Sequence, residues 1–163
     1  MVYAPVKIVG DGKVFIDKKC SVFYNKHHGL TIHTLSKDAA VTIGKGCDLG
    51  GLTIRCNSSV NIGDHTMTAY SLIQDVLIVN TSRDHANQSG GYMMPSRNIR
   101  IGSNVWLGGQ ACVLQGSDIG DGCVLSVSSC ILDTKTSNDC LLIGSPMRRG
   151  MPIQGLLRFK GSQ

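Results

Sequence analysis

A ladder of apolar residues at strict sixes runs through the second half of this chain. Its rungs are Ile101, Leu107, Val113, Ile119, Leu125 and Ile131, with Ser137 and Ile143 at the next two steps of six. A glycine follows the rung at Gly102, Gly108, Gly120 and Gly144. Two residues before the rungs stand Ile99, Val105, Ala111, Ser117, Cys123, Ser129, Lys135 and Leu141, mostly small or apolar. Neither the 3.6-residue period of an α-helix nor the two-residue period of a hairpin sheet produces sixes. A chain wound into a three-sided parallel coil does: each face is one short strand, each corner one turn, and three sixes close one coil.

The same signature is less regular upstream. Ile8, Val14 and Cys20 are six apart, with Ile16 and Val22 as a second pair. Ile43-Gly44 and Leu49-Gly50 repeat the apolar-Gly pair, Ile54 and Val60 continue at six after a slip, and Ile62-Gly63 restarts the phase. These runs are rich in Val, Ile and Thr and too short for ordinary helices. The pattern breaks over residues 80–98, where polar residues, Gly and Pro replace the rungs. Such an excursion, anchored at both ends by regular repeat, is where chemistry is expected on a rigid scaffold; a tolerated surface insertion is the plain alternative. From about 145 to 163 the chain leaves the ladder again, and a short helix or extended cap over the last coil is expected. The whole of 1–163 is thus expected to form one β-helix domain.

Composition narrows the function classes. The formal charge of +5 in 163 residues is mild, Lys and Arg are scattered, and no aromatic-basic cluster accompanies them, so nucleic acid is not the expected partner. A modest positive excess suits anionic small molecules, phosphates included. The 7 cysteines are odd in number and contain no C-x-x-C pair, which argues against a disulfide framework or zinc cluster. Cys47 and Cys123 fall two before a rung and read as buried packing thiols. Unpaired thiols, no signal layout at the start and no apolar run long enough to span a bilayer lead to the expectation of a cytoplasmic protein.

The segment 99–126, Ile-Arg-Ile-Gly-Ser-Asn-Val-Trp-Leu-Gly-Gly-Gln-Ala-Cys-Val-Leu-Gln-Gly-Ser-Asp-Ile-Gly-Asp-Gly-Cys-Val-Leu-Ser, resembles the hexapeptide-repeat acyltransferases. The branch is similar to the sugar and polysaccharide O-acetyltransferases, relatives of maltose, galactoside and xenobiotic acetyltransferases. Ile62-Gly63-Asp64, Asp84-His85 and Ile143-Gly144-Ser145-Pro146 agree with it, and the resemblance extends over roughly 41–150. It departs from the family pattern at Ala86, Asn87 and Gln88 after the Asp-His pair, and at Met147. The resemblance implies an all-β, left-handed parallel β-helix, a homotrimer with active sites between subunits, and acetyl-CoA as co-substrate. Handedness comes from the resemblance alone, since general crossover preference is right-handed.

On that basis His85 is the expected catalytic base. Transfer of an acetyl group to a hydroxyl requires a proton acceptor as oxygen attacks the thioester carbonyl, and imidazole ionises near working pH. The alternative is a solvent-exposed loop histidine. Asp84 and Tyr92, both on the excursion, are expected to bind substrate. Asp84 is too close in sequence to orient the His85 ring; Asp75 is the other candidate partner for it, and a turn or surface residue is the plainer reading of either Asp. Trp106 precedes a rung, so its indole should point outward, and by resemblance it lines the cleft beside the thioester arm. Exposed backbone groups near Gly108, Gly109, Ser126 and Ser128 are expected to pair with the amide-rich arm, and an N–H there to hold the oxyanion. Arg148 and Arg149, with Arg158 and Lys160 nearby, are the expected phosphate contacts; a solvated basic tail is the alternative.

The remaining histidines carry less. His27, His28 and His33 cluster near the N terminus and His65 sits at a coil corner, so no metal is expected. The expected function is acetyl-CoA-dependent O-acetylation of a carbohydrate hydroxyl, a surface-polysaccharide precursor being one such acceptor. N-acetylation of an amino sugar and a non-enzymatic β-helix scaffold are the alternatives.

Overall fold

The computed structural model describes residues 4–24, 28–79, 92–93 and 95–152. Among them every regular element is a strand. The first coil is β1 (Val6–Val9), β2 (Lys13–Ile16) and β3 (Ser21–Phe23). The next two are β4 (Leu30–Thr34), β5 (Ala40–Ile43), β6 (Asp48–Gly50) and β7 (Leu52–Cys56), β8 (Ser59–Ile62), β9 (Met67–Ala69). The fourth begins with β10 (Leu72–Gln74), is interrupted by β11 (Ile78–Val79) and β12 (Tyr92–Met93), and resumes with β13 (Ile99–Ile101) and β14 (Trp106–Leu107). The fifth is β15 (Cys112–Leu114), β16 (Asp118–Ile119), β17 (Val124–Leu125); β18 (Cys130–Ile131), β19 (Cys140–Gly144) and β20 (Met147–Pro152) complete the described chain.

Outside two hairpins, each strand pairs with its counterpart one coil away, not with its sequence neighbour. Three sheets result, in the orders β1-β4-β7-β10-β15-β18, β16-β13-β8-β5-β2 and β20-β19-β17-β14-β9-β6-β3. Pairing is parallel throughout except in two hairpins, β11–β12 and β19–β20. The registers align the rungs. Ile32, Ile54, Ile73, Val113 and Ile131 stack in the first sheet. Ile43, Ile62, Ile101 and Ile119 stack in the second. Leu49, Thr68, Leu107, Leu125 and Leu142 stack in the third. All of these are buried, in one continuous core that also holds Leu30, Leu52, Val41, Val60, Ile99, Val105 and Ala111. Apolar burial at this density, about 25 cal/mol per Å², is what closes the prism.

The ladder of sixes slips after Ile131. Lys135 bridges Asp118, and Leu142, not Ile143, pairs with Leu125. Ser137 is exposed and Ile143 is 37% exposed. The step after Ile131 is five residues, one fewer than the sixes that run from Ile101 to Ile131, so Thr136 takes the step opposite Ile119. Its hydroxyl accepts the Gly120 N–H at 3.0 Å. The closing segment is extended: β20 folds back antiparallel on β19 after a turn holding the cis Ser145–Pro146 bond. No described helix is long and apolar enough to cross a membrane.

Candidate functional site

Trp106 sits on β14 with its indole outward and 50% exposed, as strand alternation requires. Met67, 44% exposed, precedes it on the neighbouring coil, and Val124 and Leu141 follow in register. One outer face therefore carries a column of apolar side chains beside the tryptophan.

The chain then turns through Gly108 and Gly109, which have different jobs. Gly108 donates to the Leu125 carbonyl at 2.9 Å. A Cβ there would lie 2.6 Å from that oxygen and 2.9 Å from the Val127 nitrogen, so close approach of the next coil requires glycine. At Gly109 a Cβ would meet only the Ala69 oxygen, at 3.7 Å. Its carbonyl accepts from Ser128, whereas its N–H has no hydrogen-bond partner among the described residues. The N–H groups of Ser126 and Ser128 are committed within the coil, to Leu142 at 3.0 Å and to Gly109 at 2.9 Å. The Ser126 hydroxyl lies 2.6 Å from that of Ser129. Of the four backbone donors expected along this corner, Gly109 alone is open among the described residues.

Beyond Gly109 the corner opens into a groove of about 290 Å³. His28, Thr53, Tyr70, Leu72, Gln110 and Cys112 are among its walls. Gly51, Tyr70, Gln110 and Ser128 stack at this corner with left-handed φ of 59°, 54°, 61° and 58°, the conformation that makes each coil turn sharply. His28 meets the Tyr70 ring edge-on at 5.4 Å, and its Nε2 lies 3.4 Å from the Thr53 hydroxyl. Ser128 donates to the Gln110 side-chain oxygen at 3.3 Å. The sequence reading passed over this groove. Its residues are about twenty to forty apart in the chain, and only the coil register brings them together.

Asp75 is the other surprise. The sequence suggests a turn or surface residue, but its side chain is fully buried. It accepts the N–H groups of Asn57 and Ser58, each at 2.7 Å. The reason lies in the excursion: Asp75 stands where the coil is interrupted. Cys56 packs against it, and burial, followed by the neighbouring Asp75 charge, pushes this thiol up to about 12.

Asp84 and His85 lie outside the described residues, as do His27, Arg158 and Lys160. The backbone of Tyr92 pairs with Val79 at the root of the excursion, and that of Arg149 with Ile143 on the closing hairpin, next to Arg148. His65 is a corner residue with φ 55°. Cys47 and Cys123 are buried, and all seven cysteines are thiols. No three His, Cys, Asp or Glu among the described residues converge to hold a metal ion. Arg100 reaches Asp118 at 2.9 Å on an exposed face, an ion pair of the solvated kind.

No family model matches the sequence, and no curated protein matches it. Solved structures do match. A hexapeptide-repeat acetyltransferase of Vibrio cholerae O1 biovar eltor complexed with acetyl coenzyme A superposes with a TM-score of 0.60 at 19% identity, over 83% of this chain and 68% of that one. A galactoside acetyltransferase in complex with coenzyme A gives 0.56 at 21% identity, over 96% and 70%. A mutant of AntD, an N-acyltransferase from Bacillus cereus in complex with dTDP-4-amino-4,6-dideoxyglucose and coenzyme A, gives 0.65 at 12% identity, over 93% and 78%. This chain has the hexapeptide-repeat acetyltransferase fold. The stacked coils are therefore a left-handed parallel β-helix.

Proposed function

We propose that this chain is an acetyl-CoA-dependent acyltransferase that acetylates a carbohydrate hydroxyl, with His85 as the general base. The observation that carries the proposal is the Gly109 N–H. Among the described residues it has no partner, and a side chain at Gly109 would meet only the Ala69 oxygen, at 3.7 Å; the half-exposed Trp106 stands on the strand before it, and Gln110, a wall of the groove, follows it directly. A neutral, amide-rich thioester arm fits this corner. The indole covers the arm, and the Gly109 N–H meets the thioester oxygen as charge develops on it. A comparable backbone donor contributes ~10²–10³ in rate. The acceptor hydroxyl attacks the carbonyl carbon, the carbon–sulfur bond breaks, and the hydroxyl proton passes through the His85 imidazole to the departing thiolate. Tyr92 and Asp84 hold the acceptor, and the groove with Tyr70, Gln110 and His28 offers further wall for it. Ser126 and Gly108 shape the path of the arm, while Arg148 and Arg149 meet its phosphates.

The likeness to two structures holding coenzyme A or its acetyl ester supports the co-substrate. The apolar column Met67–Trp106–Val124–Leu141 supports burial against a second copy in a homotrimer, so that each cleft is shared. A cytoplasmic location supplies acetyl-CoA, and a surface-polysaccharide precursor is an acceptor of suitable chemistry. The likeness to an N-acyltransferase crystallised with an amino sugar favours a second reading, transfer to an amine.

The test is thioester cleavage with a panel of hydroxyl and amino sugars. The wild type is expected to release coenzyme A with at least one, and His85→Ala to be ~10²–10⁴-fold slower. Full turnover in the variant overturns the base assignment. Cleavage with amino sugars alone selects the second reading, and no cleavage with any returns the chain to a scaffold.

A further inference from the structure

A fully buried carboxylate with no cationic partner among the described residues needs a reason to be there. Asp75 Oδ1 accepts the Asn57 N–H and Oδ2 the Ser58 N–H, both at 2.7 Å, and the Cys56 thiol lies 3.5 Å from Oδ2. The main-chain carbonyl of Asp75 accepts the Arg97 N–H at 3.0 Å. One residue thus binds the coil beneath it and, at Arg97, the segment that leads back into β13.

The neighbouring coil shows what these bonds replace. Thr34 pairs with Cys56, and the next N–H, that of Leu35, donates to the Cys56 carbonyl at 2.7 Å. Gln74 pairs with Arg55, so Asp75 stands opposite Cys56. The same rule would send the Asn57 N–H to the Asp75 carbonyl. That carbonyl is occupied by Arg97, because the chain has left the coil and come back. The side chain supplies the missing acceptor, and a second one for Ser58. Between Asp75 and Arg97 the backbone forms the antiparallel ribbon β11–β12, rooted at this carboxylate. The return is pinned from the same corner: Asn57 Nδ2 donates to Ser96 Oγ at 3.1 Å and Ser58 Oγ to Asn98 Oδ1 at 2.8 Å.

We infer that Asp75 is the positioning residue that fixes where the excursion leaves and re-enters the coil, by bonding Asn57 and Ser58 through its side chain and Arg97 through its carbonyl. It touches no substrate. Its effect on turnover rests on the proposed role of His85, which the excursion carries; its effect on the backbone does not.

The test uses the full chain and amide hydrogen exchange. In the wild type, the Asn57, Ser58 and Arg97 amides are expected to be protected. In Asp75→Ala, and in the near-isosteric Asp75→Asn, which turns one acceptor into a donor, exchange at Asn57 and Ser58 is expected to rise at least about tenfold. The amides of Val113 and Leu125, a coil away, should hold their protection. Turnover should fall about 10²-fold with the KM for acetyl-CoA unchanged, as for a displaced reacting group. Fast exchange at Asn57 and Ser58 in the wild type overturns the inference without any variant. So does unchanged protection in Asp75→Asn, or a loss spread equally through the fifth coil. Local loss of protection with full turnover supports the placement of Asp75 and counts against His85.

Discussion

Two adjacent glycines show how little a residue type says until its neighbours are known. Gly108 and Gly109 stand side by side in the sequence, and the resemblance treats both as part of a cofactor corner. Packing separates them. The Leu125 carbonyl blocks any side chain at Gly108, whereas Gly109 faces space. Gly108→Ala is therefore expected to destabilise by about 1–3 kcal/mol, the usual cost of overpacking. Gly109→Ala should leave stability within about 0.5 kcal/mol and lower turnover by crowding the thioester. Urea unfolding together with thioester cleavage checks both. A Gly109→Ala protein that unfolds as early as Gly108→Ala would remove the distinction. No spacing rule separates the two positions, because the difference is made by a coil eighteen residues further on.

At the scale of the element, the repeat is a set of columns, and each column has its own chemistry. In the third sheet the positions two before the rungs are Cys20, Cys47, Thr66, Val105, Cys123 and Cys140, a column that mixes thiols with Val and Thr. Burial pushes the Cys47 thiol up to about 11 from the 9.0 of a free thiol. Folding therefore holds a proton that the unfolded chain gives up. The contribution to stability is full below pH 9 and is lost as pH rises to about 11. The urea midpoint of the wild type is expected to fall over that window, and that of Cys47→Ala to fall less steeply. The slope should shrink without vanishing, since burial raises Cys56, Cys112 and Cys130 as well. Equal slopes in the two proteins would show that Cys47 titrates freely.

For the whole molecule, the apolar column Met67–Trp106–Val124–Leu141, its first two side chains exposed and its last two half-buried, is the feature a monomer does not explain. In the proposed trimer it is covered by the adjacent copy. Met67→Glu places an unpaired charge in that contact without touching the core, and is expected to convert a sedimenting trimer to monomer while the thermal midpoint of the isolated chain changes little. A wild type that sediments as a monomer at micromolar concentration contradicts the shared cleft.

The ladder of sixes determined that this chain is a three-sided coil, which residues face inward from Ile101 to Ile131, and that Trp106 faces out. Those properties are periodic, and periodicity is a local fact of the sequence. The sequence also shows a break in the ladder at 80–98, where polar residues, Gly and Pro replace the apolar rungs. The tertiary structure decided what depends on stacking one coil against the next. The one-residue slip after Ile131 moved the last rungs from Ser137 and Ile143 to Thr136 and Leu142, since corner length is not encoded in the apolar pattern. The groove beside Gly109 gathers His28, Tyr70 and Gln110 from separate coils. Asp75 passed for a surface residue because a buried acceptor is needed only where a coil is interrupted, and the bonds it replaces belong to residues eighteen positions upstream and twenty-two downstream.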